Sequence, residues 1–456
     1  MHGRESDYMG NQSYNIPPEL MQFVSRDSYS LLIKGHAGTG KTTLALTILK
    51  ILKVVENFQY ISTRISPMQL YQYYPWLEKH FNTTKQPHTL DEDNGSEMPI
   101  FVDARLDEPS SMFERITNQL MDVGSPMIII DTWDAISYFM DREAIMNNAR
   151  VLQTWRERAR AKMIFISDNP QDTTFDVLVD GIVDLSQRYQ GDRLLRDITI
   201  SKMRGIRINY PSYKFTLNGG AFRSFEPYNP SDFVLRQVPR TVQKTVPLLE
   251  GQFIKSGNGD LDAAIGGGFP LKTMASINVG PNVNWKAALA LLSQTVSNFL
   301  AGGGSVLCRC SATEKEYIMD HFKAAWTHPK AADGITFSCD QTTKAQDQSL
   351  SKTMKTIRAK NPDKLLLSII FSDTMPKITS QDLNEIRQHS SLTVAVNVNP
   401  TDDVRSMLSR YSDVSISFLD IGGTLFLQSD MPWSHLFAVT MEKTGNGAQI
   451  KLEPVV

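Results

Sequence analysis

Cysteine is scarce: Cys308, Cys310 and Cys339 are the only three in 456 residues. Three cannot staple a secreted scaffold, and their spacing carries no paired zinc-ligand pattern, so a reducing compartment is expected. Cys308 and Cys310 stand two apart in an apolar stretch, which on a strand puts both on one face as buried small hydrophobes; a redox pair is the alternative. The eight histidines form no His-x-x-x-His pair, which leaves a histidine metal site without support. No apolar run approaches the roughly 18 residues of a spanning helix, and the opening Met1 to Tyr14 is polar, so the expected address is the cytoplasm, with no membrane partner. Neither sign of charge is in excess, since 47 Lys+Arg face 49 Asp+Glu for a net charge of −2. Such a surface has no overall field to hold a polyanion, and nucleic acid would need a local basic patch.

What is present is an ordinary globular composition on a long chain. A hydrophobic share of 41% excludes collagen-like and disordered chains. The length is about three times the usual ~150 residues of one domain, which proposes two or more. The sharpest pattern is Leu31-Leu32-Ile33-Lys34, then Gly35-His36-Ala37-Gly38-Thr39-Gly40-Lys41-Thr42-Thr43, then the apolar Leu44 to Leu49. It reads as strand, glycine loop, helix, the P-loop arrangement that binds nucleotide phosphates. Glycines at 35, 38 and 40 let backbone N–H groups turn inward around a phosphate, and the helix starting near Lys41 adds its positive end. Lys41 would reach the β and γ phosphates of ATP, and the Thr42 hydroxyl would hold Mg²⁺, which prefers hard oxygen ligands.

A magnesium site also needs a carboxylate. Pro126 to Ile130 is a short apolar run ending in Asp131, as a buried parallel strand would be, and Asp131 would then lie at the strand end where open α/β sheets bind ligands. Asp134 is either a second metal-side carboxylate or a helix N-cap. Further apolar runs, Phe58 to Ser62, Ile100 to Val102, Met163 to Ile166 and Gly181 to Leu185, alternate with helical stretches such as Arg142 to Lys162. That rhythm predicts an α/β fold with a mostly parallel sheet covered on both faces. Arg196 to Ile200 and Tyr213 to Leu217 alternate polar with apolar, which predicts an antiparallel extension at one edge.

On these residues the chain resembles the KaiC, RadA and archaeal GvpD group of RecA-type ATPases. Ile182 to Leu185, the turn Gln190-Gly191-Asp192, Ile198 to Ile200 and Lys202-Met203-Arg204-Gly205 are similar to the group's final strands with their Lys-x-Arg element. Tyr60 to Pro67 is most similar to GvpD, a family of ATP-binding gas-vesicle regulators. The resemblance implies that Lys202 and Arg204 reach a neighbouring subunit's γ-phosphate, hence a homo-oligomer; a solvated basic face on an edge strand is the alternative. One departure stands out. KaiC-like relatives carry adjacent glutamates after the second strand to orient the attacking water, whereas this chain has Arg64 and Ile65. A guanidinium that stays charged cannot accept a proton from water. Asp168 and Asp134 are the weak candidates for a substitute base, and Arg64 either binds phosphate or forms a surface salt bridge. The expectation is ATP and Mg²⁺ binding with slow or absent hydrolysis.

The proline-bearing, polar stretch 223–251, with Arg236, Arg240 and Lys244, reads as a linker. Beyond it, Ser256 to Asp262 and Gly266-Gly267-Gly268-Phe269-Pro270 resemble the entry of a second KaiC-type domain. The next segment, Gly280-Pro281-Asn282-Val283-Asn284-Trp285-Lys286-Ala287, laid on the P-loop, keeps the lysine, replaces the last glycine with Trp285 and replaces the metal hydroxyl with Ala287. Val394 to Pro400 answers Ile164 to Pro170, and Met441 to Gly445 answers Ser201 to Gly205, which sets Glu442 and Thr444 where Lys202 and Arg204 stand. Leu365 to Phe371 answers the metal strand, with Asp373 after it. The expected organisation is a tail over 1–14, a RecA/KaiC-like ATP-binding domain over 15–222, the linker, and a degenerate pseudo-ATPase domain over 252–456. The function this implies is an ATP-binding regulator acting through self-association or a regulatory protein partner; the alternative is an active RadA-like DNA-dependent ATPase, against which stand the missing glutamates and the near-neutral charge.

Overall fold

Runs of branched apolar residues form strands when both faces of a sheet are covered, and the chain does this twice. The computed structural model describes residues 15–81, 100–105, 107–108, 111–112, 114, 116–118, 124–138, 140–235, 246–325, 334–340, 350–360, 362–371, 380–400, 406, 408, 410–444 and 447–456. They fall into two compact units, one running to Glu226 and the other from Pro227 to Val455. No helix among the described residues is long and apolar enough to cross a membrane.

The first unit holds strands β1 (Tyr29–Lys34), β2 (Phe58–Ser62), β3 (Phe101–Asp103), β4 (Met127–Asp131), β5 (Lys162–Ser167), β6 (Gly181–Gln190), β7 (Arg193–Met203), β8 (Ser212–Thr216) and β9 (Arg223–Ser224). They form one sheet in the order β3-β2-β4-β5-β1-β6-β7-β8-β9. Pairing is parallel from β3 to β6 and antiparallel from β6 to β9, the parallel core and antiparallel edge expected from the sequence patterns. β1, β2 and β4 are buried along their whole lengths. Leu31, Ile33, Ile129 and Ile166 turn to the face packed with the helix Lys41–Ile51, while Leu32, Ile128, Ile130 and Phe165 pack on the other face with Ala149 and Leu152 of the helix Arg142–Ala159. Two-sided burial is why these strands read as continuous apolar runs rather than as alternation. The stretch expected to be a linker is structured at its start: Arg223–Ser224 closes the first sheet, and Phe233 is buried in the second unit's core. Arg236, Arg240 and Lys244 lie outside the described residues.

In the second unit, β10 (Leu249–Glu250), β11 (Phe253–Ile254) and β12 (Phe269–Pro270) make a small antiparallel sheet at the entry. Then follow β13 (Thr273–Val279), β14 (Ser305–Ser311), β15 (Ile335–Asp340), β16 (Leu366–Phe371), β17 (Leu392–Val398), β18 (Val414–Ile421), β19 (Thr424–Met431), β20 (Phe437–Thr444) and β21 (Gly447–Pro454). Their order, β15-β14-β16-β17-β13-β18-β19-β20-β21, repeats that of the first sheet strand for strand. The expected α/β fold with two tandem RecA-like domains is therefore present. Cys308 and Cys310 are both buried on β14, and the Cys310 and Cys339 sulfurs stand 3.9 Å apart as free thiols.

The common order fixes which residues correspond, and it revises two alignments drawn from short strings. Lys34 lies opposite Ser167, and Val279 opposite Val398, so Asn399 answers Asp168 and not Asn169. The strand answering β7 is β19, not β20. Met203 pairs with Gly181 and Met431 with Ser415, each beside a one-residue register shift. Lys202 and Arg204 are thus answered by Asp430 and Pro432; Glu442 and Thr444 belong to β20, the counterpart of β8. Both strands carry similar alternating patterns, and only pairing distinguishes them.

Candidate functional site

The loop after β1 has the backbone that a phosphate cradle requires. Gly38 and Gly40 sit at φ of 81° and 98°, in the left-handed region that glycine adopts without steric cost. A Cβ on Gly40 would also meet the Leu217 side chain at 2.8 Å. His36, Ala37 and Gly38 are exposed, whereas Gly35, Thr39, Lys41 and Thr43 are buried, so the loop presents its crest and anchors its flanks. Thr39 closes it from inside, its hydroxyl donating to the His36 carbonyl at 2.8 Å. The Lys41 ammonium donates to the same carbonyl at 2.8 Å, which folds the loop around its own lysine.

Three side chains from separate elements converge beside it. Thr42 Oγ1 donates to Asp131 Oδ2 at 2.6 Å, and the Tyr60 hydroxyl donates to the same oxygen. Thr42 lies in the first turn of the helix, Asp131 ends β4, and Tyr60 reaches across from β2, in register next to β4. Burial pushes the Asp131 carboxyl above the usual carboxylate range, and Asp168 nearby adds to the shift against the hydrogen bonds from Thr42 and Tyr60. Burial, then the Asp131 charge, pushes the Tyr60 hydroxyl well above the usual tyrosine value and keeps it a donor. A buried carboxylate whose charge is poorly compensated, with a hydroxyl in contact at a strand end, suits a hard cation such as Mg²⁺; Thr42 and Asp131 are the residues that would hold it, partly through water. Tyr60 was not singled out by sequence reasoning, since in a strand rich in apolar residues its hydroxyl leaves no trace of its partner.

A second cluster lies at the end of β5. Asp168 places Oδ1 2.7 Å from the Lys41 ammonium, and its Oδ2 pairs with the Arg64 guanidinium. Asp134 is not directed at this pair. Its Oδ1 accepts from Ser167 Oγ at 2.9 Å and its Oδ2 accepts from the Asp168 amide, so it braces the loop that carries Asp168. Both weak candidates for a base are therefore engaged, Asp168 by two cations and Asp134 by two donors. Arg64 is found in an ion pair with a partner the sequence did not nominate.

Lys202 and Arg204 lie elsewhere, at the far end of β7. The Lys202 ammonium donates to the Asp176 carbonyl at 2.7 Å, and burial, then the adjacent Arg204 charge, holds it below its usual value. Arg204 donates to Asp180 Oδ1 at 3.3 Å and to the Val177 carbonyl at 3.2 Å while remaining 55% exposed.

The counterpart loop in the second unit is built differently. Trp285, at the place of Gly40, has φ −59° and ψ −14°, an ordinary helical conformation, against 98° and 19° for the glycine. Its indole packs against Tyr317 and Phe371, with ring centroids 5.4 Å and 6.0 Å away. Two of the loop's amides are bonded, Asn284 N–H to the Tyr228 hydroxyl and Lys286 N–H to Asn284 Oδ1; the first loop also bonds the amide answering Asn284, that of Thr39, to the His36 carbonyl, so the difference lies at Lys286. The pairings put Arg309 at the place of Tyr60 and, two residues past the strand, Thr313 at the place of Arg64. Phe371 answers Ile130; Ser372 and Asp373, which follow it, lie outside the described residues. Among the described residues no carboxylate pairs with Lys286, which with Gly280 is what the loop retains of the first.

Residues 20–201 match the family model for the P-loop domain of the GvpD gas vesicle protein. Among curated proteins the chain is 26% identical to Protein GvpD1 of Halobacterium salinarum over 65% of its own length and 56% of that protein. It is 22% identical to Protein GvpD2 of the same organism over 97% of its own length and 96% of that protein. The match thus spans about half of the first relative and nearly all of the second. A P-loop at the end of the central strand, a family match laid over that same domain, and a relative aligned through both halves agree: this chain is a GvpD-like P-loop protein.

Proposed function

We propose that the first unit binds ATP with Mg²⁺, that hydrolysis there is slow or absent, and that the bound nucleotide governs self-association or a protein partner in gas-vesicle regulation. The observation carrying this reading is the convergence of Lys41, Thr42 and Asp131 at one glycine loop, with no equivalent among the described residues at the other. Loop amides and Lys41 bind the phosphates, and Thr42 and Asp131 hold the cation, which when bound would draw charge off the phosphate oxygens. Catalysis of water attack needs a carboxylate free to take a proton. Asp168 is committed to Lys41 and Arg64, and Asp134 to Ser167 and the Asp168 amide, which supports slow turnover. The second unit keeps the sheet and supplies surface rather than chemistry.

The test is titration calorimetry of the full chain with ATP and a non-hydrolysable analogue, with and without Mg²⁺, alongside phosphate release. Saturable, Mg²⁺-strengthened binding with little release supports the reading. Robust release stimulated by DNA overturns it in favour of a DNA-dependent motor. Output through assembly is tested by sedimentation with and without nucleotide. An unchanged size, together with unchanged nucleotide affinity in a Lys202→Ala, Arg204→Ala double variant, removes the idea that these residues reach a neighbour's γ-phosphate.

A further inference from the structure

We propose that Arg64 reads the terminal phosphate, so that the site distinguishes a nucleoside triphosphate from a diphosphate without needing to cleave it. The inference rests on the nucleotide-binding reading above and concerns residues that reading leaves unassigned. A single carboxylate, that of Asp168, is shared between two cations: Oδ1 with the P-loop Lys41 and Oδ2 with Arg64. Both cations therefore lie within the width of one small anion, and both point at the same place.

That place is where a triphosphate ends. A P-loop lysine lies along the β and γ phosphates, and Asp168 lies at the ammonium of Lys41. A diphosphate stops at the loop and the lysine. The third phosphoryl group extends beyond them, and its equivalent oxygens are spaced much as a carboxylate's are, so it can replace Asp168 between the same two cations. The exchange is chemically even: phosphate gains a guanidinium, which matches its oxygens in a planar fork, and the Asp168 carboxylate, repelled by the phosphate charge, turns away to solvent and not toward the water that would attack.

Exposure supports the exchange. Lys41 is 5% exposed and held to the loop by the His36 carbonyl, so it stays in place. Arg64 is 52% exposed and stands two residues beyond the end of β2, so it can change partners without disturbing the core. Asp168 is 17% exposed, its main chain fixed through Asp134, which leaves its side chain as the moving part. Asp168 thus acts as an internal stand-in for the phosphate, and it keeps two cations from facing each other unscreened. Arginine at position 64, where KaiC-like proteins resemble one another in carrying a glutamate, has a use on this account: a carboxylate there would repel the group that an arginine attracts.

The experiment compares affinities for AMP-PNP and ADP, both with Mg²⁺, in the full chain by titration calorimetry. Arg64→Ala should weaken AMP-PNP about tenfold, the worth of one charge-assisted contact, and leave ADP within about twofold. Arg64→Lys should recover part of the loss, since it keeps the charge and loses the fork. Asp168→Asn should tighten AMP-PNP severalfold by removing the competing anion, and circular dichroism reports whether that variant is folded. Equal weakening of both nucleotides in Arg64→Ala, or no weakening of either, overturns the proposal while leaving nucleotide binding intact. Failure of the unsubstituted chain to bind either nucleotide is a different result, and overturns the binding reading itself.

Discussion

Two sheets with one strand order differ in almost every side chain that could face a phosphate. Gly40, Thr42, Tyr60, Arg64 and Asp168 in the first unit are answered by Trp285, Ala287, Arg309, Thr313 and Asn399 in the second, while the apolar strands persist. Sheet order depends on dispersed apolar burial, where many substitutions are tolerated provided volume and pattern survive. A phosphate site depends on a few polar atoms placed to a fraction of an ångström, and each loss removes the reason to keep the next. The contrast shows that one strand order is compatible with two quite different loops at the end of its central strand.

The largest expected effect separates the two lysines. Lys41→Ala should abolish Mg²⁺-ATP binding, by about 100-fold or more, whereas Lys286→Ala should leave it unchanged in the same titration. Next is the repacked loop. Trp285→Ala should lower the second unit's stability by about 2 kcal/mol, below the ~3–5 of a fully buried tryptophan because the indole is only partly covered, and thermal unfolding reads the loss. Restoring the motif there, with Trp285→Gly and Ala287→Thr together, should not create nucleotide binding, since the Lys286 amide remains bonded to Asn284 Oδ1. Saturable binding in that variant would show the two loops to be closer than their backbones suggest.

A smaller effect tests the buried carboxylate. Tyr60→Phe removes a hydroxyl worth about 1 kcal/mol to Asp131 and should raise the Mg²⁺ concentration needed for tight ATP binding about fivefold, with metal-free ATP binding unaltered. The smallest concerns pH. Burial, then the Lys286 charge, holds His321 below the ordinary 6.5. Between its lowered value and 6.5 the unfolded chain binds the extra proton, so the second unit's stability should fall as pH drops through that window and level off beneath it. His321→Gln should flatten the slope in denaturant titrations run at successive pH values.

Much of this was legible before any coordinates. The string Gly35 to Thr43 between an apolar run and a helix names its own chemistry, because a loop and the helix start that follows it are contiguous in sequence. Asp131 was legible for a similar reason, a carboxylate at the end of a wholly apolar run. Pairings between loops were not. Arg64 meets Asp168 because β2 and β5 both flank β4 and end on the same side of the sheet, a fact about order rather than composition. The likeness of Met441–Gly445 to Ser201–Gly205 sets Glu442 against Lys202, but β19 is the strand beside β18, which gives that place to Asp430.

The amino-acid order therefore established the α/β class, the doubling of the domain and the glycine loop of the first unit, all of which arise from residues close along the chain. Which carboxylate holds Lys41, which hydroxyl steadies Asp131 and which residues of the second unit stand in for those of the first were settled only by packing. Hydrogen bonds and ion pairs act over about 3 Å in space, and the strand order that brings distant loops to that separation is a property of the whole sheet.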